Sequence, residues 1–115
     1  MLNIAVLVFA IGALGGLYMA TRVLGGHFAP WAVSLLHAAL GATGLVLTGI
    51  VVLGGGTAGI VPIALLILVV AALGGFFLAS FHARKQLPPR AVVFIHAGAA
   101  VTGFLLLVGG AFHFL

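Results

Sequence analysis

The sequence predicts an all-α fold, a four-transmembrane-helix bundle made of two tandem helix-hairpin repeats related by a pseudo-twofold along the membrane normal. Three observations point to it. Hydrophobic residues make up 65% of the 115 positions and charged ones 3%, with no Asp or Glu. A soluble domain carries about 25% charged residues, so this chain has too few to cover a globule facing water. Apolar stretches of spanning length recur four times, and the chain matches itself without a gap at an offset of 59 residues.

A spanning helix needs about 20 mainly apolar residues; residues 2–22, 30–53, 59–82 and 89–113 supply them. The start of the chain, Met1-Leu2-Asn3-Ile4-Ala5-Val6, lacks the basic stretch of a secretory signal and reads as the first retained span. Gly25-Gly26 closes that span, Gly54-Gly55-Gly56 the second, and Arg84-Lys85-Gln86-Leu87-Pro88-Pro89 the third. Pro30 and Pro89 stand at helix starts, where a missing N–H is harmless. Residues 1–115 form one membrane domain, with the first repeat at about 1–56 and the second at about 57–115.

The repeat places Ala13-Leu14-Gly15-Gly16 on Ala72-Leu73-Gly74-Gly75, Pro30 on Pro89, His37-Ala38 on His96-Ala97, and Thr43-Gly44 on Thr102-Gly103. Ala, Gly and Leu match often by accident in a sequence this apolar. Pro, His and Thr falling into one register do not. Two copies of two spans insert with the same orientation, so equivalent residues sit at equal depth. Gly12, Gly15, Gly16 and Ala20, with Gly74, Gly75 and Ala79, are expected to let neighbouring helices approach closely.

The net charge of +4 comes from Arg22, Arg84, Lys85 and Arg90, too few and too scattered for a nucleic-acid surface. All four fall at the first and third connections. The positive-inside rule then predicts these connections in the cytoplasm and both termini outside, in a membrane such as the bacterial inner membrane. Without cysteine there is no disulfide or thiolate site. A bilayer carboxylate for cation-coupled transport is absent, as is any nucleophile and base arrangement, so neither transport nor independent enzymatic activity is expected.

The histidines carry the one constellation with chemistry in it. His37 and His96 are equivalent in the repeat, each seven residues after a helix-starting proline, about 10 Å into the membrane at 1.5 Å per residue. Ionisable groups inside a span point to function. In a chain with no carboxylate, two imidazoles on parallel helices suit the two axial positions of a haem iron. Gly41 and Gly44 after His37, with Ala100 and Gly103 after His96, strip the adjoining helix faces so that a porphyrin could lie there. Arg22, Arg84, Lys85 and Arg90 stand toward the same membrane face and are candidates to pair with haem propionates. Ser34, Thr43 and Thr102 are candidate hydroxyls for orienting the rings, although an intramembrane Thr commonly bonds its own helix. His27, His82 and His113 have no matched partners and are expected to be interfacial, like Trp31 and Tyr18.

Paired histidines in a small four-helix membrane bundle resemble the haem-b anchor subunits and small b-type cytochromes of respiratory membranes. The resemblance rests on the architecture and on His37 and His96. It implies one haem b between the second and fourth helices, one-electron transfer, other subunits of a larger redox complex, and possible exchange with quinone. Typical two-haem members use four histidines, whereas one matched pair occurs here. Two other readings compete: a cofactor-free accessory subunit that stabilises a membrane complex, and a pigment-binding subunit in which each histidine ligates a separate chlorophyll magnesium.

Overall fold

In lipid every backbone N–H and C=O must be satisfied internally, and for an apolar chain with breakers at intervals the available solution is a set of helices. The structure, a computed structural model, describes residues 1–57 and 59–115; Ala58, in the connection between the second and third helices, lies outside them. The described residues form α1 (Leu2–Leu24), α2 (Trp31–Leu53), α3 (Ile60–Ala83) and α4 (Arg90–Ala111). All four are long and apolar enough to cross a membrane. The expected spans hold to within two residues at each end: α1 runs on past residue 22, and α4 stops before 113. Pro30 and Pro89 are N-caps in extended conformation (φ −63° and −58°), one residue before the helices they start.

Every helix ends in the same stop. The residue at C′ turns left-handed, at Gly26 (φ 84°), Gly55 (φ 72°), Lys85 (φ 57°) and His113 (φ 61°). The next N–H reaches back to the last turn, as His27 to Arg22 O (2.9 Å), Gly56 to Val51 O (3.2 Å), Gln86 to Phe81 O (2.9 Å) and Phe114 to Gly109 O (2.7 Å). This is the Schellman arrangement, which satisfies carbonyls the helix leaves free. Glycine takes the turn without strain, whereas an L-residue there gives up about 1 to 2 kcal/mol. Lys85 and His113 therefore occupy turns that favour glycine, and the position equivalent to Lys85 is Gly26.

Consecutive helices pack into the hairpins α1·α2 and α3·α4, and the hairpins meet through α1·α4 and α2·α3. A twofold would exchange those two junctions. The diagonal pairs α1·α3 and α2·α4 bring no Cα atoms within 8 Å of each other. Equivalent residues make equivalent contacts: Ala5 and Ala64 are fully buried, as are Thr48 and Leu107, and Thr21 Oγ1 donates to Tyr18 O as Ser80 Oγ does to Phe77 O.

Packing is unequal along the bundle. Val61, Ala64, Leu68 and Leu107 form the core, with Leu2, Val6, Phe9 and Leu45 against it. That cluster occupies the end away from the cations. Beyond Gly12 and Ala71 toward the cationic end, Val93 is the one buried helical residue among those described. The histidines sit where the dense core gives way to this looser half, while large apolar side chains such as Leu14, Leu66, Phe76 and Ile95 face outward, a surface compatible with lipid.

Candidate functional site

A helix carbonyl that already accepts its own i+4 N–H keeps a second lone pair. A side chain from the next helix can reach it only where the covering Cβ is missing. Gly16 stands four residues after Gly12, and Gly75 four after Ala71. Through these openings His37 Nδ1 bonds Gly12 O at 2.8 Å, and His96 Nδ1 bonds Ala71 O at 2.7 Å. A Cβ on Gly16 would lie 2.9 Å from Cε1 of His37, and one on Gly75 would lie 3.1 Å from Cε1 of His96. Gly15 and Gly74 lie against the Cβ atoms of the same two histidines.

These bonds fix the chemistry of the rings. A carbonyl only accepts, so in each neutral imidazole Nδ1 carries the proton and Nε2 presents a lone pair. Among the described residues neither Nε2 has a hydrogen-bond partner. The two rings face each other across the α2·α4 diagonal with centroids 6.3 Å apart and planes at 79°. Two rings at this spacing could hold one metal between them, given metal–nitrogen bonds near about 2 Å. Each ring's Nδ1 is anchored to its own carbonyl, on the preceding helix.

The hydroxyls named from the sequence do not hold the rings. Thr43 Oγ1 donates to Ala39 O (2.8 Å) and Thr102 Oγ1 to Gly98 O (2.7 Å), each within its own helix, and Ser34 donates to neither histidine. The backbone of the preceding helix takes that role. Of the small positions flanking the pair, Gly41 is open, with nothing within 4 Å of an added Cβ, and Ala100 is half-buried. Gly44 and Gly103 are buried beneath Phe9 and Leu68, which are themselves equivalent in the repeat. A bare surface beside each histidine therefore does not extend as far as Gly44 or Gly103, because the paired helix of the same hairpin packs there.

The cations gather at the end of the bundle, off the histidine level. Arg22 donates from Nε (3.2 Å) and Nη2 (3.1 Å) to Phe28 O. Arg84 Nε donates to Ser80 O (3.1 Å), with the guanidinium 4.9 Å from the Phe81 ring centre. Arg90 Nη1 donates to Leu24 O (3.2 Å), tying the start of α4 to the end of α1. Lys85 is exposed and bonds none of the described residues. Each guanidinium keeps donors free for an anion.

Comparison with known proteins adds no relative. No family model, no curated protein and no solved structure matches the chain. Function therefore rests on the geometry above. The sequence singled out His37 and His96 but read Gly12, Gly16 and Gly75 as general packing surface and did not mark Ala71 at all. The signal for their role is a shared spacing: each histidine follows the carbonyl it binds by 25 residues.

Proposed function

We propose that this chain is a membrane electron-transfer subunit that holds one haem b between α2 and α4 through His37 and His96, working within a larger redox complex and exchanging electrons with a partner protein or quinone. The observation that carries the reading is the pair of unpartnered Nε2 lone pairs, each set by an Nδ1–H bond to a backbone carbonyl, on rings 6.3 Å apart. Metal-ligating histidines nearly always donate their other ring N–H in this way, which fixes the tautomer and raises ligand basicity. The residues fit the group in two further respects. The diagonal helices α2 and α4 stand apart, with no Cα atoms within 8 Å of each other, and the half that contains the cations has few buried residues. Bound there, haem would supply a one-electron couple, and two histidine ligands would leave its iron no open position for oxygen.

The chain's own part is positional. Gly12 and Ala71 orient the imidazoles, Gly16 and Gly75 give them room, and Arg22, Arg84, Lys85 and Arg90 offer charge-assisted donors to carboxylates at the cationic end. Connections this short have little room for a second redox centre, so electrons would be exchanged with partner subunits.

One observation favours a second reading, the cofactor-free accessory subunit. The same Nδ1 bonds tie α2 to α1 and α4 to α3, and interhelical bonds of this kind contribute about 0.6 to 2 kcal/mol in membranes. Against it stands the free Nε2 lone pair on each of two equivalent rings, which tying the helices together through Nδ1 does not require. Haem content separates the two. Protein purified from haem-replete cells should carry one extractable haem b per chain, and protein that is stoichiometrically haem-free would leave the accessory reading in possession.

A further inference from the structure

The two hairpin junctions at the cationic end are built from different materials. Where α1 meets α4, Arg90 reaches the Leu24 carbonyl. Where α3 meets α2, the His82 ring lies flat on Trp31, with centroids 3.8 Å apart and planes at 7°, and Phe28 runs parallel to His82 at 6.2 Å. Beside this stack a recess of about 370 Å³ is lined by Phe28, Ala29, Pro30, Trp31, His82 and Lys85. Their equivalents in the other repeat are Leu87, Pro88, Pro89, Arg90, Val23 and Gly26, so only the proline is kept. The fold closes one junction without any aromatic ring. The aromatic and basic set at the other is thus not a requirement of the fold.

Lys85 strengthens this. Its left-handed turn is the same one that the first repeat makes with Gly26, yet here a lysine is held at φ 57°. The Lys85 side chain lines the recess. No Asp or Glu exists anywhere in the chain to neutralise it, so its counter-ion comes from outside.

We propose that this recess binds the phosphate of an anionic phospholipid headgroup, with Lys85 as its cation, His82 as a hydrogen-bond donor and Trp31 and Phe28 as the apolar wall against which the glycerol and upper acyl chain lie. Basic pockets at the ends of membrane helices bind acidic headgroups in this way, and Trp and Tyr rings favour the headgroup level. The recess lies at the bundle end, off the level of the histidine pair; of its lining only Lys85 is also offered to haem carboxylates, and phosphate binding here does not require haem.

Trp31 is the sole tryptophan, so its emission reports on this recess alone. The detergent-solubilised full chain is titrated with phosphatidylglycerol, excited at the red edge so that Tyr18 stays silent. A saturable change in Trp31 emission is expected, absent with phosphatidylcholine. Lys85→Gly keeps the turn, since Gly26 makes it in the first repeat, and should weaken the apparent affinity about fivefold, the contribution of one basic side chain near an anionic headgroup. Arg84→Ala removes the same charge one residue away, from a side chain already engaged by Ser80 and Phe81, and should leave the affinity within about twofold. Equal losses in the two variants would reduce the effect to general charge attraction and overturn the site. Equal responses to phosphatidylcholine, or to inorganic phosphate, would also overturn it, as would no response to phosphatidylglycerol.

Discussion

Gly16→Val is expected to push the His37 imidazole off the Gly12 carbonyl and abolish ligand binding at the pair. The added Cβ alone would lie 2.9 Å from Cε1, 3.3 Å from Nδ1 and 3.7 Å from Nε2. That ring cannot swing aside without giving up its 2.8 Å bond. Overpacking of this kind destabilises by about 1 to 3 kcal/mol, and the lost hydrogen bond adds about 1 kcal/mol. Gly75→Val should act in parallel on His96, where the Cβ would lie 3.1 Å from Cε1. Gly49→Val, on the histidine helix with nothing within 4 Å and outside the site, is the matched control and should change little. The measurement is thermal unfolding in detergent together with bound haem per chain; a Gly16→Val protein that keeps full occupancy would show that the carbonyl contact does not set the ligand geometry.

Gly44→Val should destabilise the bundle by a similar amount, about 1 to 3 kcal/mol, without touching the site. Its Cβ would sit 2.6 to 2.8 Å from three atoms of the Phe9 ring, a rigid group backed by the dense core. Gly103→Val meets Leu68 Cγ at 2.8 Å and Cδ2 at 2.9 Å. Because Gly44 lies seven residues beyond His37, about 10 Å along the helix, the folded fraction of Gly44→Val should still carry its ligand. Gly44→Ala combined with Phe9→Ala should recover part of the stability lost by Gly44→Ala alone. Loss of ligand in the folded Gly44→Val protein would mean that the glycine rows and the histidines form one unit rather than two.

The four spans were legible because spanning a bilayer demands a length and composition that nothing else in a 115-residue chain imitates. The helix ends were legible to within a turn, since Gly26 and Gly55 supply the left-handed stop that glycine takes freely. Lys85 and His113 make the same stop without glycine, and α4 accordingly ends before the expected boundary. The equivalence of His37 and His96 was readable because they fall into one register with Pro30 and Pro89 and with Thr43 and Thr102, an alignment chance seldom gives. What holds the rings was not. Sequence names side chains, and the obvious hydroxyls were Ser34, Thr43 and Thr102; the partners are backbone carbonyls, which every residue has and no sequence pattern advertises. Their availability depends on missing side chains at Gly16 and Gly75, and among 18 glycines those two look like the rest until the helices are paired. The same blindness applied to Gly44 and Gly103, whose emptiness on paper is filled by Phe9 and Leu68 from across the hairpin.

The most direct measurement is a reduced-minus-oxidised visible spectrum of the purified full chain beside its His37→Ala and His96→Ala single variants, all from haem-replete cells. The predicted result is a low-spin b-type signal in the parent chain that is lost or converted to a high-spin form in each variant alone, since one ring cannot supply both of the imidazoles that would hold the iron. A featureless parent spectrum would contradict the haem reading, and so would a low-spin signal that survives either substitution.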